Sequence, residues 1–303
     1  MLFFTVLIDL IGFGILMPIL PYYAQRFGAE GIGFGAVVGV FSAMQFLSTA
    51  LLGRFSDRVG RRPVLLATML INAAGYTLFA YSGSYWTLFL ARVVSGFASG
   101  NISVAQAYMA DITSAAERSR GMGFIGAAFG LGFIIGPAVG GLSSHWWGPA
   151  APGLVAAGLS LANFASAYLI LRESLGVEHR RVRPLFDLGH IGEVLRRPRL
   201  RVLMGVWAFA PFAFSGYTVA LPLYASATLG WREKELGWLF TIIGITAALV
   251  QGYFFGKVVR RFGDRALLIS GAFGMALAVG VLPLVTSSAV LYGWTVVLAL
   301  SNS

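Results

Sequence analysis

The chain has 303 residues, of which 57% are hydrophobic and only 11% charged, and its mean hydropathy is +0.79. A soluble domain carries about 25% charged residues, so this composition excludes an ordinary water-soluble fold. The formal net charge of +10 lies in short segments between apolar runs, which argues against nucleic-acid binding, and the lack of cysteine excludes disulfides, thiolate metal sites and Cys nucleophiles.

Several apolar runs reach about 20 residues, the length that spans about 30 Å of hydrocarbon as a helix. The roughly ten-residue alternating segments of a membrane β-barrel are absent. The expected class is therefore an all-α polytopic membrane protein. Helices are expected at 2–26, 32–52, 64–82, 85–110, 120–145, 150–172, 201–229, 233–256 and 266–285, and a tenth begins near 289. The first has no basic segment before it and is too long for a signal peptide, so it reads as a span. Residues 1–172 then form an N-terminal six-helix bundle. Residues 173–200, hydrophilic and containing His179 and His190, form a cytoplasmic linker, and 201–303 form a partial second bundle. If the two bundles match, two to three further helices are expected beyond Ser303, as in a fragment or a shortened reading frame.

The stretch Gly53–Arg54–Phe55–Ser56–Asp57–Arg58–Val59–Gly60–Arg61–Arg62–Pro63 is charged and glycine-punctuated between two apolar runs, and it is expected to be a tight loop. A degraded copy stands at 256–265, where Gly256 and Gly263 repeat the spacing of Gly53 and Gly60 at an offset of 203 residues. Such a repeat implies two similar bundles. Eighteen of the 22 Lys and Arg residues fall in the segments after the second, fourth, sixth and eighth helices, and only Arg26, Arg232 and Lys234 lie on the other side. Positive-inside bias then places the N-terminus in the cytoplasm.

Of the twelve acidic residues, Asp9 alone sits well inside an expected span. A carboxylate in hydrocarbon is costly and marks a functional site by default, here one suited to reversible proton binding; the alternative is that Asp9, eight residues from Met1, reaches interfacial water. Gly12, Gly14, Pro18 and Pro21 weaken its helix, which is expected to bend during transport; close helix packing is the alternative. Arg92, the basic residue inside a span, is expected either to face the bundle interior and find an acceptor, in a coupling role or a structural ion pair, or to lie near a membrane end and snorkel. Gly126-x3-Gly130 and Gly132-x3-Gly136-x3-Gly140, with Pro137 and Gly141, place small residues on one helix face for close helix packing. In the charged stretch, Asp57 is expected to cap a neighbouring helix and Arg61 to pair with Asp111; a purely topogenic loop is the alternative. Gln45, Asn72, Tyr76, Asn101, Gln106, Tyr108 and Asn163 are candidates to line a substrate cavity or to make interhelical hydrogen bonds. Trp86, Trp146, Trp147 and Trp231 suit the interfacial belts.

These residues together resemble the major facilitator superfamily, specifically its drug:proton antiporters of the tetracycline-efflux type. Gly53-x3-Asp57-Arg58-x-Gly60-Arg61-Arg62 is similar to the signature loop between helices 2 and 3. Arg92-x3-Gly96 resembles the helix-4 motif tied to proton coupling, Gly126 through Gly141 the helix-5 antiporter motif, and Asp9 through Pro21 the helix-1 motif. The resemblance implies two six-helix bundles with alternating access, the second incomplete here. It also implies that Asp57 caps helix 11, which lies beyond this chain. Tetracycline exporters carry an acid in the middle of helix 3, where this chain has Gly75, a departure from their pattern.

The expected function is secondary active export of a small amphipathic compound or drug in exchange for protons, from the inner membrane. The expected partners are a small-molecule substrate, protons and the lipid bilayer; no nucleic acid, metal or organic cofactor is expected, and the chain is expected to act as a monomer. The alternatives are a metabolite exporter for sugars or amino acids and a truncated, non-transporting product. A membrane-embedded enzyme is disfavoured because the spans lack paired acids, His-Glu-x-x-His and Cys.

Overall fold

The computed structural model describes residues 2–29, 31–114, 117–176, 220–250, 258 and 261–302, and every regular element among them is helical. The first span is a bent pair, α1 (Leu2–Leu16) and α2 (Leu20–Arg26), with a 41° bend. Pro18 lies in the break and lacks the N–H that would continue the helix. Tighter turns close the gap, from Met17 N to the Gly14 carbonyl and from Ile19 N to that of Leu16, both at 3.2 Å.

Four further helices complete the first half as expected: α3 (Ile32–Val59), α4 (Arg61–Ala80), α7 (Arg118–Trp147) and α8 (Ala151–Ile170), together with the broken span of α5 (Tyr85–Ala98) and α6 (Asn101–Ile112). Ser84 caps α5 in a reciprocal box: its Oγ accepts from Thr87 N at 3.3 Å, and its N donates to Thr87 Oγ1 at 3.1 Å. With the bent pair counted as one, six segments among the described residues are long and apolar enough to cross a membrane. The second half shows α9 (Ala220–Leu229), α10 (Glu233–Leu249), α11 (Asp264–Val281), a 3-10 turn at Leu282–Leu284 and α12 (Ser288–Asn302). Nearly all of the expected linker, and 201–219 of the seventh helix, lie outside the described residues.

The charged stretch at 53–63 is not a loop. Helix α3 runs through Gly53 and on to Val59, and Gly60 alone separates it from α4. Gly60 takes φ of +109°, a conformation that disfavours side chains. Beyond the hydrocarbon, polar helix sides are satisfied by water and by the arginine network described below, so apolarity does not mark where the helix ends. Gly263, the counterpart in the repeat, also has positive φ, +77°, and immediately precedes α11.

Two apolar clusters fill the first half. One, near the arginine-rich end, gathers Val6, Leu65, Met69 and Val104; the other gathers Ile15, Tyr23, Phe79 and Leu88. A third, around Leu221, Leu236, Leu239 and Leu291, holds the second half. Phe46, Trp86, Trp146, Trp147 and Leu169 are exposed, as suits a lipid-facing surface. Trp231 departs from the expected belt: it is buried, stacked on Tyr292 at 4.8 Å, and donates to Ser288 Oγ at 2.9 Å.

Candidate functional site

Asp9 lies midway along α1 and opens onto a cavity of about 130 Å³ lined by Leu10, Phe13, Gln45, Asn72, Ser99, Asn101, Ile102 and Phe129. Both carboxylate oxygens are held by amides. Asn101, at the first turn of α6, donates Nδ2 to Oδ2 at 2.6 Å. Asn163, from α8, donates Nδ2 to Oδ1 at 3.2 Å and to the Thr5 carbonyl at 2.9 Å. Three helices are thus tied at one carboxylate. A carboxylate bonded by neutral donors in a small cavity of mixed polar and apolar lining can exist ionised or protonated, which is the chemistry an ion-coupling site requires.

Three of the seven candidate cavity residues, Gln45, Asn72 and Asn101, line this space. Tyr76 does not; it is buried against α1, where a Cβ placed on Gly12 would stand 3.0 Å from its hydroxyl oxygen. It lies within electrostatic range of both Asp9 and Arg92. Gln106 is exposed, one turn beyond Ile102, and is not part of the lining. Tyr108 instead donates to the Arg172 carbonyl at 2.7 Å.

Arg92 is buried, as its place in a span demands, but among the described residues it has no carboxylate partner. Its guanidinium carbon sits 4.1 Å from the centre of the Phe41 ring, and its Nε has no hydrogen-bond acceptor. Phe41 in turn packs on Phe13 at 5.2 Å, so two rings stand between the cation and the cavity. A desolvated cation over an aromatic face gains about 2 kcal/mol, which partly offsets the missing anion. At Gly75 an added Cβ would meet Ser95, whose N lies at 3.1 Å and Cα at 3.3 Å. Backbone contact between α4 and α5 fills the position, leaving no space for an acidic side chain.

The glycine stretch of α7 divides by face. Cβ atoms added at Gly132 and Gly136 would stand 2.6 Å from Leu10 Cβ and 2.7 Å from Gly14 Cα, and one at Gly140 would strike the Ile15 carbonyl oxygen. These three seat α7 against α1 beside Asp9. The Pro137 ring also meets α1, 3.2 Å from a Cβ placed on Gly14, whereas its carbonyl and Gly141 face the second half, where a Cβ on Gly237 of α10 would lie 3.2 Å from the Pro137 oxygen and 3.5 Å from Gly141 Cα. Gly126 and Gly130 have no described neighbour within 4 Å of an added Cβ. One helix therefore joins the Asp9 helix to the second bundle.

At the arginine-rich end, Arg61 is buried and gathers several partners. Its Nη1 bonds Asp57 Oδ1 at 2.7 Å and Ser56 Oγ at 2.6 Å, and its Nε bonds Asp111 Oδ2 at 3.1 Å. Arg62 donates to the Tyr168 carbonyl at 2.7 Å, and Arg58 and Arg54 also have partners. The expected Arg61–Asp111 pair is formed, while Asp57 turns to Arg61. A different carboxylate caps a helix here: Glu173 accepts from Arg61 N at 2.8 Å and Arg62 N at 3.2 Å, at the start of α4. The sequence reading passes over Glu173; a carboxylate just past a span is its only local signal. These bonds tie α3, α4 and α6 to the chain around the end of α8, all within the first bundle.

The profile of the Major Facilitator Superfamily matches residues 2–302. Tetracycline resistance protein, class D, of Salmonella ordonez is 30% identical over 296 residues, which cover 97% of this chain and 75% of that protein. Multidrug resistance protein 2 of Bacillus subtilis is 28% identical over 277 residues, covering 88% and 69% respectively. The crystal structure of the human organic anion transporter MFSD10 (TETRAN) aligns with a TM-score of 0.67 at 27% identity, over 99% of this chain and 83% of that one. On this match along its length, and on its bundle of apolar helices, the chain belongs to the major facilitator superfamily of membrane transporters.

Proposed function

We propose that this protein exports a small amphipathic compound in exchange for protons by alternating access, with its N-terminus in the cytoplasm. The observation that carries the reading is the Asp9 carboxylate, held by two amides at a small cavity inside the first bundle. In the cycle, Asp9 binds and releases the proton, Arg92, buried behind Phe41 and Phe13, tunes it electrostatically, and substrate occupies the midplane between the bundles. The glycine face of α7 transmits movement of α1 to the second bundle, and the cluster at Gly53, Asp57, Arg58, Gly60, Arg61, Arg62 and Asp111 forms the cytoplasmic gate. The likeness to drug-resistance proteins supports a drug or drug-like substrate. In everted membrane vesicles carrying an acid interior, addition of a transported compound releases part of the proton gradient. A broad compound panel that leaves the gradient untouched refutes the proposal.

A second reading, transport of an organic anion, is favoured by the likeness to the human organic anion transporter and by the buried, carboxylate-free Arg92. Gradient release by anionic but not cationic compounds selects it.

A further inference from the structure

We propose that Asn101 senses the protonation state of Asp9 and displays it to the cavity by turning its amide over. The inference rests on the reading of Asp9 as the proton-binding group. The two amides that hold the carboxylate are not equivalent. Asn163 donates to Asp9 and also to the Thr5 carbonyl at 2.9 Å. Turning it over would set its own carbonyl oxygen against that of Thr5, two acceptors facing each other, so its orientation is fixed. Asn101 donates to Asp9 Oδ2 at 2.6 Å, and its side chain makes no other hydrogen bond among the described residues. It lines the cavity, whereas Asn163 does not.

An ionised carboxylate only accepts hydrogen bonds, while a carboxylic acid also donates one. When a proton from cavity water forms an O–H bond at Asp9 Oδ2, that O–H meets the N–H of Asn101, donor against donor. Rotation of the amide by about 180° about Cβ–Cγ, a broad and nearly two-fold torsion, places Oδ1 where Nδ2 stood and restores the bond with its direction reversed. Nδ2 then takes the place of Oδ1 at the cavity. The cavity loses an acceptor and gains a donor in one step, so a ligand N–H or O–H bound there before protonation loses its partner. Proton binding and ligand release are thereby linked at one side chain. On the neighbouring elements the titratable groups are Tyr76 of α4, beside Gly12 one turn along α1, and Arg92 of α5, which lies behind Phe41 and Phe13; α6, α7 and α8 present Asn101, Gly132 and Asn163 at this level.

The test needs no ligand. Acid-induced infrared difference spectra are recorded on the purified protein in lipid. A carboxylic-acid band that Asp9→Asn removes is expected to grow on acidification, and a side-chain amide carbonyl band is expected to move to lower frequency with the same midpoint. Asn101→Leu is expected to lose the amide band entirely, and Asn163→Leu to keep it. Asn101→Gln retains an amide and is expected to return the band at the glutamine frequency, which decides the matter if the leucine variant does not accumulate. An amide band that persists in Asn101→Leu, or an Asp9 band that titrates in the wild type without an amide companion, overturns the inference while leaving Asp9 as the proton site. A wild type in which Asp9 does not titrate overturns both.

Discussion

Alanine substitutions along α7 separate the two roles that its glycines play. A Cβ at Gly136 would lie 2.7 Å from Gly14 Cα and 2.8 Å from the Ile11 oxygen, where ordinary contact is 3.4–4 Å. These neighbours are backbone atoms of α1 and cannot turn aside, so the helices must part by a large fraction of an ångström. Overpacking of this kind costs about 1–3 kcal/mol. The intrinsic preference of alanine over glycine in a helix returns about 1 kcal/mol. Gly132→Ala, Gly136→Ala and Gly140→Ala are thus expected to be net destabilising by up to about 2 kcal/mol each. At Gly126 and Gly130 no described atom lies within 4 Å, and only the propensity gain remains. Thermal unfolding followed by tryptophan fluorescence in detergent reads the difference, with shifts on the order of 5 °C. The first group is expected to melt lower than the wild type and the second at or above it. Equal shifts in the two groups would refute the division of the helix into a packed and an open face.

Further outcomes follow from the arginine-rich end and from the opposite one. Gly60→Ala places a side chain at φ of +109° and against the Glu173 carboxylate, so a loss of about 1–2 kcal/mol is expected from the backbone alone, read in the same melt; an unchanged melt contradicts it. Arg61→Ala removes charge-assisted bonds to Asp57 and Asp111 and is expected to cost about 3 kcal/mol, against about 1 kcal/mol for Glu173→Gln, which keeps an acceptor but weakens the cap of α4 and the bonds from Ser174 N and Leu175 N; the reverse ranking counts against this assignment. At the opposite end, Tyr22 donates to the Trp231 carbonyl at 2.9 Å, joining the two halves. Tyr22→Phe is expected to speed labelling of a single cysteine, introduced as Phe13→Cys, by external maleimide about fivefold, since a hydrogen bond of about 1 kcal/mol no longer opposes opening. The chain has no cysteine of its own to interfere. Unchanged labelling would mean that this contact does not hold the two halves together at this end.

The spans of the first half are legible because their signal, about 20 apolar residues in a row, is local. Asp9 and Arg92 are legible for the same reason, as single charges inside such runs. Where Arg92 finds its partner is not legible: the lone cation invites an anion, and it rests on Phe41, which only tertiary packing brings to it. The spacing of the α7 glycines shows a small-residue face, but which of them meet α1 and which meet α10 depends on the neighbours. Glu173 lies 112 residues from the helix start it caps, and Asn163 lies 154 from Asp9; no pattern within one segment connects them. The charged stretch at 53–63 reads as a loop because charge and glycine end membrane spans. Its helix persists to Val59 because a helix that leaves the bilayer need not end there.

The most direct test of the account is transport by purified protein in liposomes under an imposed pH gradient, with wild type and Asp9→Asn compared over the same compound panel. The account predicts gradient-driven movement of at least one compound with the wild type. With Asp9→Asn it predicts loss of the dependence on the gradient, since an amide in the carboxylate's place carries no proton. Transport by Asp9→Asn that responds to the pH gradient as the wild type does would contradict the central claim, and the proton would have to bind elsewhere.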